Sequence, residues 1–153
     1  MKLRTVRRKA REFALMLLYQ HELSEEEGDK LLQEFWKETK AMDEVKEYAE
    51  KLFKGVLQNK ELLDSLLRKH AKKINFDRLV PIDKNILRIA AYEMLFVEDV
   101  TPAIAIDEAI EISRIYSEEN SYVYINAILD SLKKEEMKKG ESDGGEESKG
   151  GEA

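Results

Sequence analysis

The sequence contains no cysteine among its 153 residues, which excludes disulfide bonds, thiolate metal ligands and a cysteine nucleophile. Histidine is nearly as scarce, because His21 and His70 are the only two and neither lies in a cluster with metal-ligand spacing. We therefore interpret both as core or boundary residues and predict no metal site and no cofactor. The lack of cysteine also fits a reducing compartment, and we expect a cytoplasmic protein.

Long apolar runs are missing as well. The run at residues 13–19 falls far short of the roughly 18 apolar residues that span a bilayer. It follows six basic residues and carries no small-residue cleavage site, so we predict neither a signal peptide nor a membrane partner.

Helix-breaking residues are few before the end of the chain. Proline occurs only at 81 and 102, and five of the seven glycines lie at or after Gly140. Apolar residues recur at three- and four-residue steps, which predicts an all-α domain over residues 1–137. The predicted helices cover about 4–22, 29–41, 44–57, 60–73, 81–97, 102–116 and 120–136.

Several helix starts have recognisable chemistry. Pro81 and Pro102 suit the first helical turn, and Thr101 is expected to cap the helix that Pro102 opens. Asp43 and Asn59 are expected to cap the third and fourth helices. The helix at 81–97 is apolar over more than half its circumference, which predicts a central position.

Residues 138–153 read KKGESDGGEESKGGEA and contain no aromatic or branched apolar side chain. Such a segment cannot offset its own ordering entropy, so we predict an acidic, disordered tail rich in Gly, Glu and Lys.

Enzyme signatures are weak. The glycines before the tail form no phosphate-binding loop, and no serine lies in a nucleophile elbow. We therefore expect no catalytic residues and a protein that is not an enzyme.

The strongest positive signal is the charge distribution. The net charge is −6, yet residues 1–11 carry +6, which leaves −12 for the rest of the chain. At helical spacing, Arg4, Arg7, Arg8 and Arg11 form one continuous stripe at the end of a helix where cations oppose the helix dipole. We call residues 2–11 the basic arm. A nucleic-acid site and a merely solvated helix start both fit the composition.

Three motifs resemble the NusB family of bacterial transcription antitermination factors. They are RRKAREFALMLLYQHELS at residues 7–24, DKNILRIAAYEMLF at 83–96 and TPAIAIDEAIEISRIYSEENSYVYINAILD at 101–130. The resemblance implies seven helices in two packed bundles. It also implies binding of boxA-type single-stranded RNA of ribosomal RNA operons, together with the small-subunit ribosomal protein that acts as Nus factor E. The pair then joins the antitermination complex on RNA polymerase.

The resemblance also implies site residues. RNA contacts are expected from the basic arm and from the start of the last helix. A protein partner is expected against the central helix and its neighbours. The RNA-binding candidates are Lys2, Arg4, Arg7, Arg8, Arg11, Asn120, Tyr124 and Asn126, and the partner-binding candidates are Tyr19, Asp83, Lys84 and Arg88. Asp83, Lys84 and Arg88 belong to the narrow polar face of the helix at 81–97, and an otherwise buried helix has few other exposed groups to offer a partner.

The chain departs from the family pattern near its last helix. A Phe-Val-Asn-Gly run is usual there, whereas this chain has Tyr124, Ile125, Asn126 and Ala127. Tyrosine keeps a stacking surface. Val123 stands where a basic residue is more usual, so a phosphate contact at that position is not expected.

Two other interpretations remain open at this stage. NusB-like domains also form the N-terminal module of ribosomal RNA cytosine methyltransferases, although this chain ends where a catalytic domain would begin. A helical scaffold whose arm binds acidic protein surfaces is the second.

Overall fold

The computed structural model describes the backbone of residues 2–152 and the side chains of residues 2–139. This part of the chain forms seven α-helices and one short 3₁₀ helix, and it contains no strand. The helices are α1 (Leu3–Ser24), α2 (Gly28–Glu38), α3 (Asp43–Gln58), α4 (Lys60–His70), α5 (Pro81–Phe96), α6 (Pro102–Tyr116) and α7 (Ser121–Glu152), with the 3₁₀ helix at Phe76–Arg78. The predicted all-α fold is confirmed.

The proline-marked helix starts are confirmed. Pro81 and Pro102 occupy the first turns of α5 and α6. Thr101 Oγ1 accepts a hydrogen bond from the backbone N–H of Ile104 at 3.2 Å, as an N-cap should.

The other two cap predictions were wrong. Asp43 lies inside the first turn of α3, and Met42 occupies the N-cap position without a side-chain hydrogen bond. The Asn59 side chain donates to the carbonyl oxygen of Gly55 at 2.8 Å. It therefore satisfies the carboxyl end of α3 and leaves the start of α4 without a side-chain cap.

The helices form two bundles around one continuous core. Helices α1–α3 make the first bundle and α4–α7 make the second, with α5 in contact with α1, α3, α4, α6 and α7. Every residue of α5 from Asn85 to Glu93 is buried, which confirms its predicted central position. The apolar side chains of Leu62 in α4 and Ala103 in α6 are exposed.

A close approach between α3 and α5 requires glycine at position 55. A Cβ atom built on Gly55 would lie 2.2 Å from the ring of Tyr92. The Tyr92 ring also stacks on Phe96, with 5.3 Å between ring centroids. Gly55 therefore sets the separation of these two helices near the middle of the molecule.

The predicted acidic tail, 138–153, lies almost wholly outside the residues whose side chains are described. The backbone of α7 nevertheless continues through this segment to Glu152, so the disorder of the tail stays a prediction that the described backbone does not support.

Candidate RNA interface and partner surface

The basic arm enters the fold through a gradient of burial along α1. Lys2 and Arg4 are exposed, Arg7 and Arg8 are half-buried, and Arg11 is buried. The apolar positions that follow, Ala14 and Leu17, are fully enclosed in the core. The first turns of α1 are thus exposed to solvent at Lys2 and Arg4 and anchored in the core from Arg11 onward.

Arg11 forms a buried ion pair with Glu93 of α5. Its Nε lies 2.8 Å and 3.0 Å from the two carboxylate oxygens, and the Tyr48 hydroxyl of α3 donates to the same carboxylate. Burial lowers the pKa of Arg11, but the hydrogen bond and charge of Glu93 outweigh it and raise that pKa. Burial and the Glu93 charge also raise the pKa of Tyr48. The network ties α1, α3 and α5 together.

Glu108 of α6 supplies a second buried carboxylate beneath the arm. The Arg8 guanidinium donates to Glu108, and Arg4 and Arg11 each approach it at 3.8 Å. The Glu108 side chain is 6% exposed, whereas that of Arg4 is 83% exposed. Glu108 therefore holds Arg8 and lies close to Arg11, while Arg4 remains in solvent.

Arg7 makes a different pair of contacts. Its guanidinium lies 4.6 Å from the centroid of the Tyr48 ring, and one nitrogen donates to Asp99 at 2.8 Å. That hydrogen bond is the main reason that the pKa of Asp99 is lowered. Because Asp99 is exposed, an anionic ligand can compete for Arg7.

The stripe is therefore not a row of free cations in solvent, because Arg7, Arg8 and Arg11 are each paired with an acid. Arg11, which was expected to contact RNA, is buried with its guanidinium paired to Glu93, because the apolar helix α5 carries a matching acid at this contact point. A groove of about 390 Å³ does open beside the arm, between the starts of α1 and α6. Its wall includes Leu3, Arg4, Arg7 and Ile104.

The other predicted RNA contacts lie at the start of α7. Asn120 and Asn126 are exposed, whereas Tyr124 is half-buried. The Tyr124 hydroxyl donates to the carboxylate of Asp83 and lies 3.0 Å from Ser121 Oγ. Burial, with the Asp83 hydrogen bond as the next cause, raises the pKa of Tyr124 to about 12.

Tyr124 lines a groove of about 440 Å³ between the end of α4 and the first turns of α7, which we call the Tyr124 groove. Lysine side chains form much of its edge. The wall includes His70, Lys72, Lys73, Tyr124, Ala127 and Lys134. The groove presents an aromatic ring beside cationic groups.

Tyr19 lines a separate groove of about 350 Å³, which we call the Tyr19 groove. It lies between the end of α1 and the start of α5, and the α6–α7 turn closes it. Its remaining wall is formed by Val80, Pro81, Ile82, Tyr116, Ser117 and Glu118. Val80 and Tyr19 are both exposed, so the surface is partly apolar.

Two partner candidates on α5 were wrongly expected to be exposed. Asp83 is 1% exposed and accepts hydrogen bonds from Ser117 and Tyr124. Arg88 is 5% exposed, and both Nε and Nη2 donate to the Asp64 carboxylate, at 2.7 Å and 2.9 Å. Lys84 is partly exposed. Periodicity identifies which face of α5 is polar but not that neighbouring helices cover it.

The arm and the start of α7 lie at opposite ends of α5. Arg11 contacts Glu93, whereas Tyr124 contacts Asp83, ten residues earlier on the same helix. At 1.5 Å of rise per residue these anchor points are about 15 Å apart. The two halves of the predicted RNA site are therefore not in contact, and one extended ligand would have to pass along the molecule.

The sequence interpretation missed Glu93, Glu108 and Tyr48. A signal was present, because Glu93 stands in the apolar stretch RIAAYEMLF and Glu108 in AIAIDEAIEIS. An acid on a face that is otherwise buried requires a cationic partner, and the arm is the nearest unassigned source of cations.

Comparison with known proteins identifies the family to which this architecture belongs. The family model described as the NusB family matches residues 8–134, which is most of the chain. The chain belongs to the NusB family. Two curated relatives are transcription antitermination proteins NusB. That of Thermodesulfovibrio yellowstonii is 36% identical and covers 86% of this chain and 93% of the relative. That of Methylacidiphilum infernorum is 37% identical, with coverages of 87% and 94%.

Solved structures of NusB proteins share the fold. NusB from T. maritima is 38% identical, with a TM-score of 0.76 over 84% of this chain and 91% of that one. A crystal structure of the antitermination factors NusB and NusE in complex with double-stranded RNA matches with a TM-score of 0.75 and 28% identity. It covers 87% of this chain and 98% of the solved chain. Within the described residues, none of this protein's helices is both long and apolar enough to cross a membrane.

Proposed function

We propose that this protein is a transcription antitermination factor that binds boxA-type single-stranded RNA of ribosomal RNA operons. It acts with the small-subunit ribosomal protein known as Nus factor E and helps RNA polymerase to read through terminators. Similarity over 87% of the chain to a NusB solved with NusE and RNA carries this proposal. We expect it to act in the cytoplasm, where bacterial transcription takes place. We also propose that it acts by binding and has no enzymatic activity.

The basic arm supplies the electrostatic part of RNA binding. Lys2 and Arg4 are exposed and meet phosphate directly, Arg7 lines the same groove as Arg4, and the half-buried Arg8 offers its accessible edge beside them. Arg11 contributes only indirectly, because its guanidinium is hydrogen-bonded to Glu93 and holds the start of α1 against α5. Contacts of this kind give affinity and salt dependence but little sequence preference.

Base recognition belongs to the start of α7. Single-stranded RNA is read by stacking on aromatic rings and by hydrogen bonds to exposed base edges. Tyr124 supplies the ring, and the exposed amides of Asn120 and Asn126 supply both donors and acceptors. One extended strand would have to run along the molecule to contact both this segment and the arm.

The ribosomal partner binds at the Tyr19 groove. Tyr19 and Val80 offer exposed apolar surface, and Lys84 adds a cation at the same end of α5. Asp83 supports this surface from beneath through its hydrogen bond from Ser117, whereas Arg88 is buried against Asp64 and acts only by holding α5 in place.

Salt dependence of RNA binding tests the role of the arm. Four phosphate contacts predict a log–log slope of about −3 for single-stranded RNA. The variant Lys2→Ala/Arg4→Ala should reduce the slope to about −1.5, because two contacts are lost. The matched control Lys40→Ala/Lys60→Ala removes two exposed lysines elsewhere and should leave the slope unchanged. A slope near zero in the unmodified protein would contradict the proposal.

The alternative interpretations give different results. A helical scaffold that binds acidic proteins would show no preference for boxA RNA over scrambled RNA. A methyltransferase module with its own activity would transfer methyl groups to ribosomal RNA as the purified protein. Measuring the affinity for boxA RNA both as a single strand and as a duplex also establishes which form binds to the arm and Tyr124.

A further inference from the structure

The buried carboxylate of Asp83 lies between the Tyr19 groove and the Tyr124 groove. Ser117, in the wall of the Tyr19 groove, donates a hydrogen bond to Asp83 Oδ1. Tyr124, in the wall of the Tyr124 groove, donates to Asp83 Oδ2. One carboxylate thus joins the linings of two surface grooves, and the side chains come from α5, from the turn between α6 and α7, and from α7.

The hydrogen-bond requirements of this unit are tightly coupled. Asp83 is 1% exposed, and the donors recorded for its carboxylate among the described residues are these two hydroxyls. Losing either donor leaves an oxygen of a buried carboxylate poorly satisfied, which is costly. The raised pKa of Tyr124 keeps its proton available for donation throughout the physiological pH range.

Tyr124 has a second polar neighbour, Ser121 Oγ at 3.0 Å. Since the phenol carries a single proton, donation to Asp83 leaves its oxygen to accept from Ser121. The orientation of the Tyr124 ring therefore depends on where the Asp83 carboxylate is held. The position of that carboxylate depends in turn on Ser117.

We propose that the Ser117–Asp83–Tyr124 unit couples the binding of the protein partner to the binding of RNA. A partner seated in the Tyr19 groove fixes Ser117 and hence the carboxylate, which orders the Tyr124 ring for base stacking. RNA stacked on Tyr124 orders the same unit from the other side. The inference rests on the proposed function, because it assigns RNA and the ribosomal partner to the two grooves.

Such coupling has thermodynamic consequences. The order imposed by the first ligand need not be imposed again by the second, so each raises the affinity for the other. Thermodynamic linkage requires the partner to change the affinity for RNA by the same factor as RNA changes the affinity for the partner. Coupling between two sites commonly changes affinity by about 5- to 150-fold.

The test is a set of binding isotherms for boxA RNA measured with and without the purified ribosomal partner. The ratio of the two dissociation constants gives the coupling factor. The unmodified protein should bind RNA at least about five-fold more tightly with the partner present. Tyr124→Phe and Ser117→Ala each remove only a hydroxyl group, and Tyr124→Phe retains the aromatic ring. Each variant should nevertheless bring the coupling factor close to one.

Two control variants carry the same chemical changes elsewhere. Tyr122→Phe alters a tyrosine whose ring lies against Arg114, and Ser65→Ala alters an exposed serine of α4. Both should retain the coupling factor of the unmodified protein. Thermal unfolding of every variant confirms that the ratio is measured on folded protein.

The outcomes separate the inference from the proposed function. If the unmodified protein binds RNA no better with the partner, the proposed function fails, and the inference fails with it. If the unmodified protein shows coupling and Tyr124→Phe and Ser117→Ala retain it, the inference alone is wrong. Loss of coupling in both variants, with intact folding and intact coupling in both controls, supports it.

Discussion

Removing the Arg11 side chain should strongly destabilise the fold. Arg11→Met leaves Glu93 buried, at 1% exposure, with Tyr48 as its remaining hydrogen-bond donor among the contacts described here. Breaking a buried ion pair in this way costs about 3–5 kcal/mol, because the abandoned charge stays desolvated. For a domain of this size the loss corresponds to a fall in melting temperature of roughly 10 °C.

A compensating variant distinguishes this mechanism from a simple loss of packing. Arg11→Met/Glu93→Leu/Tyr48→Phe removes the whole polar network and replaces it with apolar groups of similar size. Replacement of a buried ion pair by well-packed apolar residues is often neutral or stabilising, so the triple variant should be clearly more stable than the single one.

Urea unfolding with a shared m-value provides the assay. The comparison variant is Arg68→Met, which breaks the exposed Arg68–Asp77 pair, whose closest approach is 2.9 Å. Because both side chains of this pair are exposed to solvent, Arg68→Met should cost far less stability than Arg11→Met. The reasoning is refuted if Arg11→Met costs no more than Arg68→Met, or if the triple variant is as unstable as the single one.

Three further predictions concern stability. Gly55→Ala should cost about 1–3 kcal/mol in urea unfolding, because the added methyl group collides with the Tyr92 ring. Thr101→Ala should cost about 1 kcal/mol in the same assay, through loss of the α6 cap. Hydrogen bonds from Lys69 and then His70 lower the pKa of Glu135 to about 2. The unfolded chain therefore binds more protons between pH 5 and pH 2, and stability falls as the pH falls through this range. Glu135→Gln should lose less stability than the unmodified protein over that interval.

Each of these predictions has a control. Gly28→Ala places its Cβ at ordinary contact distance, 3.5 Å from Phe53, and should be tolerated much better than Gly55→Ala. Thr101→Ser keeps a capping hydroxyl and should retain most of the stability. Glu119→Gln, in the exposed α6–α7 turn, should leave the acid response unchanged. Equal effects of a variant and its control would contradict the corresponding explanation.

Local chemistry made the helical framework predictable. Pro81, Pro102 and Thr101 mark two helix starts through restrictions that operate within a few residues, and the structure retains all three. The apolar density of residues 81–97 likewise indicated the buried central helix. Ala14 and Leu17, which lie three residues apart on one face of α1, are both fully buried, as helical spacing requires.

Polar contacts between helices could not be predicted in the same way. Spacing shows that Arg11 and Asp83 share a face with other polar residues, but it does not show what packs against that face. Arg11 meets Glu93 across 82 residues of sequence, and Asp83 meets Tyr124 across 41. These pairings follow from the packing of α5 against its neighbours, which no local pattern contains.

The central claim is tested most directly by the affinity for boxA RNA and for a scrambled RNA of equal length, each with and without the ribosomal partner. We expect tighter binding of boxA RNA than of the scrambled RNA, and a wider margin once the partner is added. Equal affinity for the two RNAs under both conditions would contradict the account.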